Sequence, residues 1–196
     1  MIIVRDGFFG NPHQIREEAI ERIRNQYECL LNDDGDNYPG VRVDTPSELE
    51  SSLITWIESE MKRKVKSFAS AFHLTTSAHG FGLAHQDSTR FAGLVYLNEN
   101  PPENTGTVFY ELSRKPLPQI DGFKEASISK SVDTVTKFIS VKERYNTQNF
   151  VKDFEVENRF NRLLIYEGTR PHSPGVYFGN TLQDSRLVLV FWFQAF

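Results

Sequence analysis

Leu187-Val188-Leu189-Val190-Phe191-Trp192-Phe193 is the stretch on which the fold turns. Its members are β-branched, aromatic or leucine, so alternation assigns no wet face and no dry face. A strand apolar on both sides belongs at the centre of a sheet, covered on each face. Working backwards from it, Phe72–Ser77, Gly82–Asp87, Phe91–Asn98, Gly106–Leu112, Arg162–Glu167 and Pro174–Phe178 read as further strands, with the last one spanning Ser185–Gln194. Turn signals such as Asn100-Pro101-Pro102 and Gly179-Asn180 separate them.

The first third of the chain reads differently. Ile2-Ile3-Val4 is a short strand, and Asn11-Pro12 opens a helix in which Ile15, Ala19, Ile23, Tyr27 and Leu30 recur at helical spacing. Asn32–Asn37 is a turn-rich acidic loop without the spacing or closing glutamate of a calcium-binding loop. Thr45 and Glu48 have the spacing of a capping box at the head of a second helix. Leu49, Leu53, Ile57, Met61, Val65, Phe68 and Phe72 then step by three or four, which predicts one long amphipathic helix lying on a sheet. Lys62, Arg63, Lys64 and Lys66 read as its solvated outer face. The expected fold class is mainly β with N-terminal helices: a double-stranded β-helix, jelly-roll or cupin-like, braced by two helices. Residues 1–72 form the helical support and 73–196 the core, interrupted by an insertion at 113–161. That insertion, loosely helical over Ser131–Tyr145, and the Tyr38–Arg42 segment are the expected substrate-side walls.

Composition narrows the function. A chain of 196 residues with 39% hydrophobic residues suits a single domain, 1–196. The net charge of −4 comes from well-mixed charges, which argues against a nucleic-acid or anionic-membrane partner. Cys29 is the one cysteine and reads as a packing residue on the first helix. With no disulfide, no leader-like start and no apolar run near the ~20 residues of a spanning helix, the expected location is cytoplasmic.

The chemistry centres on His85-Gln86-Asp87. In extended backbone, side chains two apart project from one face, so His85 and Asp87 offer an imidazole and a carboxylate to one point. His172 is a third ligand that a folded barrel can bring in. Two histidines and one carboxylate leave the opposite face of a metal open, as in non-haem iron(II) oxygenases. After His-x-Asp come Arg90-Phe91-Ala92-Gly93-Leu94-Val95-Tyr96-Leu97-Asn98, Thr105-Gly106-Thr107-Val108-Phe109-Tyr110, Leu163-Leu164-Ile165-Tyr166-Glu167-Gly168, His172 and Arg186.

In that order these pieces resemble the 2-oxoglutarate- and iron(II)-dependent oxygenases, and the Tyr-Leu-Asn and Gly-Thr-x-Phe stretches are most similar to the prolyl 4-hydroxylase branch. The resemblance runs from about Thr75 to the C-terminus. It implies His85, Asp87 and His172 as iron ligands and Arg186 as the cation for the distal carboxylate of 2-oxoglutarate; Tyr96 reads either as a further contact to that cosubstrate or as an ordinary half-buried strand tyrosine. Arg170, Arg90 and Arg42 are rivals for the cation, and a surface pairing of Arg186 with Asp184 is the structural alternative. The implied reaction is hydroxylation of a C–H bond of an amino acid, peptide or small metabolite by O2, with release of succinate and CO2. The retained Asp87 favours hydroxylation, since related halogenases lack that carboxylate. Thr76, His79 and Thr105 depart from residues common in the family, and the His172–Arg186 gap is longer than its usual spacing. His79, His73 and His13 read as packing or rim residues. The alternatives are a cupin-type metalloenzyme that does not use 2-oxoglutarate, a zinc hydrolase, and a non-catalytic jelly-roll binding module.

Overall fold

The computed structural model describes residues 1–30, 40–80, 82, 84–112 and 150–196. In chain order the elements are β1 (Ile2–Arg5), α1 (Pro12–Leu30), β2 (Val41–Asp44), α2 (Ser47–Met61), β3 (Val65–Thr75), β4 (Phe91–Tyr96), β5 (Thr107–Leu112), β6 (Phe150–Val156), β7 (Leu163–Glu167), β8 (His172–Pro174) and β9 (Arg186–Ala195). A single 3-10 turn, Ser77–His79, follows β3.

β9 takes the central position that its two apolar faces demand. It pairs antiparallel with β3 on one side and β4 on the other, within a sheet ordered β1-β7-β4-β9-β3-β2. Successive side chains then part company. Leu187, Leu189, Phe191 and Phe193 join Ile15, Ala19 and Ile23 of α1 and Leu53 and Ile57 of α2 in one buried core. Val188, Val190 and Trp192 point the other way, into a second cluster with Tyr96, Leu164, Tyr166, Phe109 and Val156. Phe109 and Val156 belong to the second sheet, β6-β5-β8, so that cluster lies between the sheets. The architecture is mainly antiparallel β with helices on the outer face of the larger sheet, which is the double-stranded β-helix expected from the sequence.

Several boundaries differ from expectation. The second helix stops at Met61, where Lys62 adopts a left-handed conformation, and Val65–Thr75 is a strand paired along its length with β9. A spacing of four, as between Phe68 and Phe72, keeps two residues on one face of a helix and equally of a strand, so periodicity did not mark the change. Thr45 does not cap α2; its hydroxyl bonds Ser70 and Glu50 in a buried polar cluster. Pro12 does occupy the first turn of α1, and Ile15, Ala19 and Ile23 are buried as expected. The end of the expected insertion is β6, paired with β5. Its remainder, residues 113–149 with the Ser131–Tyr145 pattern, lies outside the described residues, as do the acidic loop and the side chain of Cys29. The strand expected over Pro174–Phe178 is instead the shorter β8, beginning at His172. Of the expected strand Gly82–Asp87, the described residues show an isolated bridge at His85. Among the described residues no helix is long and apolar enough to cross a membrane.

Gly93 marks the tightest packing around β9, since a Cβ there would stand 2.5 Å from ring carbons of Phe191 and 2.7 Å from the Leu164 carbonyl oxygen. Gly93→Ala is expected to destabilise the protein by about 1–3 kcal/mol. The check is the urea midpoint, which falls at unchanged slope; a midpoint equal to that of the parent would show that the two strands give way at no cost.

Candidate metal centre

His85 and His172 are brought together by backbone before side chains enter the argument. The His85 N–H donates to the His172 carbonyl and the His172 N–H to that of His85, both at 2.9 Å. The Asp87 N–H donates to the Gly168 carbonyl at 2.8 Å, which continues the same antiparallel ladder. Residues 85–87 thus run beside the segment from Gly168 to His172, and the two-residue repeat turns His85 and Asp87 to one side. The imidazole centroids are 4.4 Å apart. One ligand atom from each of His85, Asp87 and His172 can be chosen so that all lie within 4.8 Å of one another. Nε2 of His172 is 3.4 Å from Oδ2 of Asp87, and Nε2 of His85 is 3.8 Å from Oδ1.

Surroundings fix the state of each donor. Nδ1 of His172 lies 2.8 Å from the Arg170 carbonyl, to which only a protonated nitrogen can donate, so the lone pair resides on Nε2 and faces Asp87. Burial and the neighbouring His85 push His172 down to about 3, which keeps the imidazole neutral. Burial raises Asp87 above the usual carboxylate range, against the opposing pull of His85, the Trp192 indole donor and the Arg42 guanidinium. Oδ2 of Asp87 is buried without a hydrogen-bond donor. A neutral imidazole lone pair facing an undersatisfied carboxylate oxygen is a poor arrangement without a cation and a good one around a divalent metal. Nitrogen and carboxylate oxygen in this ratio suit iron(II) or zinc. Tyr166 packs its ring 4.5 Å from that of His172 and closes the apolar side.

Arg186 opens β9 and lies on the inward face, 2% exposed. Its Nε reaches the Thr105 carbonyl only at 3.4 Å, and one Nη is buried with no hydrogen-bond partner. The rings of Tyr96 and Tyr177 each lie 5.9 Å from the guanidinium. Asn98 braces the backbone on both sides of it, donating to the Ser185 carbonyl at 2.7 Å and accepting from the Leu187 N–H at 2.8 Å. The alternative pairing with Asp184 is not made, because that carboxylate accepts from the N–H groups of Asn180 and Thr181 and from the Thr181 hydroxyl. Of the rival cations, Arg170 is paired with Asp153 at 2.5 Å, Arg90 lies over Phe91 and Phe196, and Arg42 lies over Trp192. Tyr96 is buried beside Arg186, with its hydroxyl 2.7 Å from that of Thr107 and 3.3 Å from the Val156 carbonyl. Burial pushes it up to about 12, so it remains a neutral phenol.

Other histidines stand apart from the triad. His79 is buried in the 3-10 turn against Thr76 and the Tyr177 ring, and His13 is an exposed partner of Glu99 on α1. His73 is buried on β3. Trp192, Tyr177 and Tyr166 were not singled out from the sequence. Trp192 had a usable signal, since it is six residues beyond Arg186 on one strand and must share its face.

A family model described as "Family of unknown function (DUF6445)" matches residues 1–187. The chain belongs to this family. No curated protein matches it. Among solved structures it is similar to a prolyl-4-hydroxylase from Pseudomonas putida, with a TM-score of 0.55 and 18% identity over 98% of this chain and 91% of that one. It is also similar to a prolyl hydroxylase from Trichoplax adhaerens, solved with a hypoxia inducible factor oxygen degradation domain peptide fragment, at TM-score 0.54 and 12% identity over 98% of this chain and 82% of that one. AviO1 from Streptomyces viridochromogenes Tue57 gives TM-score 0.54 and 12% identity, covering 98% of this chain and 89% of its own. At such identities the likeness establishes a shared fold, and the resemblance read from the sequence to prolyl 4-hydroxylase-like proteins holds at that level.

A buried arginine that served only to support β9 would be missed if removed. One held for an anion would not. Arg186→Met is therefore expected to leave the urea midpoint of the ligand-free protein unchanged or raised, because it replaces an under-bonded buried charge with hydrocarbon. A loss of unfolding free energy of more than about 2 kcal/mol, within the range for breaking a satisfied buried network, would assign Arg186 to structure.

Proposed function

We propose that this chain is an iron(II)- and 2-oxoglutarate-dependent oxygenase that hydroxylates a C–H bond of an amino acid, peptide or small metabolite. In this reading His85, Asp87 and His172 hold the iron, and Arg186 holds the distal carboxylate of 2-oxoglutarate with Tyr96 beside it. The observation that carries it is the incomplete bonding of two buried charged groups on the inner face, Oδ2 of Asp87 and one Nη of Arg186. A metal at the first and a carboxylate at the second would satisfy both.

When bound, the iron and the oxo acid supply the oxidation: O2 places one oxygen atom in the substrate and one in succinate, as 2-oxoglutarate loses CO2. The protein's part is to bind and orient. Three side-chain ligands leave coordination positions for a chelating oxo acid and for O2. The Arg170 carbonyl holds the tautomer of His172, and the Trp192 donor and Arg42 charge help keep Asp87 ionised. The Arg186 fork matches a carboxylate in two hydrogen bonds, in a setting that excludes water. Tyr96, Tyr177 and Phe109 provide that exclusion, being buried around the inner face.

Purified protein mixed anaerobically with iron(II) and 2-oxoglutarate is expected to show the visible charge-transfer band of a chelated oxo acid, and to release succinate once air is admitted. Asp87→Ala should abolish both. Arg186→Met should keep iron binding and weaken 2-oxoglutarate about 10–100-fold, the worth of one or two charge-assisted hydrogen bonds. A parent protein that shows neither band nor succinate would sink the proposal. Gly168→Ala offers a subtler check. Its Cβ would stand 2.4 Å from the Thr89 carbonyl oxygen and 3.1 Å from Cβ of Asp87, so the ligand must shift. Iron affinity is expected to fall about 10–100-fold with the far-ultraviolet circular dichroism unchanged.

A further inference from the structure

The hydroxyl groups close to Arg186 differ in what they have left to give. The Tyr96 hydroxyl is 2.7 Å from that of Thr107 and 3.3 Å from the Val156 carbonyl. A phenol has one hydrogen, and these two neighbours use it. The Thr105 hydroxyl donates to the Pro102 carbonyl at 2.7 Å. Thr75 is in another position. It is wholly buried, and its Oγ1 has no hydrogen-bond partner, as is true of one Nη of Arg186.

The strand register makes these two groups neighbours. Thr75 is the last residue of β3 and stands directly opposite Arg186, the first of β9. Phe72 and Leu74 belong to the helix-side core, so Thr75 turns to the inner face with Arg186. Side chains opposed in this way have Cβ atoms about 4.5–5.5 Å apart. On the other flank of Thr75 is Gly40, where a Cβ would stand 2.8 Å from the Thr75 methyl carbon. The branch turned toward β2 is therefore the methyl. Two buried polar groups on one rung, each short of a bond, are an unfavourable arrangement unless one incoming group serves both. That group must accept, because a guanidinium only donates. A carboxylate accepts at both oxygens, so it can take bonds from a guanidinium and a hydroxyl together.

We infer that Thr75 is the hydroxyl donor to the distal carboxylate of 2-oxoglutarate, completing with Arg186 a site to which Tyr96 contributes only its ring. The inference rests on the oxygenase reading above and deepens it. The sequence offered Tyr96, on β4, for this contact; the bonding moves it to β3, on the opposite side of β9. The cation then has an aromatic face on one flank and a donor on the other.

Thr75→Val tests this, because it keeps the volume and the β-branching of the strand residue and removes the hydroxyl. Full-length protein loaded with iron(II) is titrated without air with 2-oxoglutarate and, separately, with 2-oxopentanoate, which has the same chain and chelating end but no distal carboxylate. Affinity is read from the visible charge-transfer band and by calorimetry, neither of which needs turnover. Thr75→Val is expected to bind 2-oxoglutarate about 10–100-fold more weakly and 2-oxopentanoate as the parent does. The urea midpoint of the ligand-free variant should equal or exceed that of the parent, since the hydroxyl it loses bonds to nothing there. Thr75→Ser restores the hydroxyl and should restore the preference for 2-oxoglutarate. An unchanged preference in Thr75→Val overturns the inference. So does a lowered midpoint, which would show the hydroxyl bonded within the ligand-free protein. Equal loss of both oxo acids would place Thr75 at the metal end, and loss of the preference in Thr75→Ser would assign the effect to the methyl; either result overturns it as well. A parent protein that binds no 2-oxoglutarate beside iron fails at an earlier point, the oxygenase reading itself.

Discussion

β9 sets the terms for everything else in this protein. It is buried on both faces in the middle of the larger sheet, so one set of alternate residues must satisfy the helices and the other must face the second sheet. Hydrocarbon fills the first role throughout. The second set begins with Arg186 and includes Trp192, so the strand that organises the core also delivers a cation and an aromatic donor to the inner face. Burying a guanidinium with a single long hydrogen bond costs several kcal/mol. The surrounding strands hold it there regardless, because Asn98 of the β4 end grips the backbone on either side.

The candidate metal centre depends on β9 only indirectly. Its three side chains come from a short antiparallel rung between residues 85–87 and the approach to β8, and β8 is attached to β5 of the smaller sheet. The face-to-face packing of the two sheets is thus what sets the triad over the inward residues of β9. Trp192 is the join, since it influences Asp87 on one side and supports Arg42 on the other. A triad built this way is rigid at the backbone. The neutral imidazole of His172 is oriented by the Arg170 carbonyl rather than by another titratable group, so its lone pair is available across the ordinary pH range.

Much of this was legible in the residues, and the exceptions have physical causes. The double-stranded β-helix followed from a closing strand apolar on both faces. His85 and Asp87 followed from spacing, whereas His172 is 85 residues beyond Asp87 and became readable only through the order of motifs around it. The misplaced end of α2 arose because steps of four satisfy helix and strand alike; only pairing with β9 decides between them. β6 was hidden because Phe150-Val151-Lys152-Asp153-Phe154-Glu155-Val156 mixes charges into both faces, and its register with β5 shifts at Phe109/Tyr110. Thr45 has the spacing of a cap, yet its hydroxyl found Ser70, a partner that no local reading could supply. Arg42 and Trp192 are ordinary in sequence, and their meeting is a product of sheet order.

The under-bonded guanidinium of Arg186 bears on how a reaction cycle would end. Succinate keeps the same terminal carboxylate as 2-oxoglutarate, so an arginine that anchored the one would anchor the other, and among the described residues no acid bonds the free Nη in its place. In the proposed reaction, water would have to rehydrate the Arg186 guanidinium before succinate could leave. Exit of the spent co-product would then be slow relative to loss of CO2, and accumulated succinate would act as a brake on the next round.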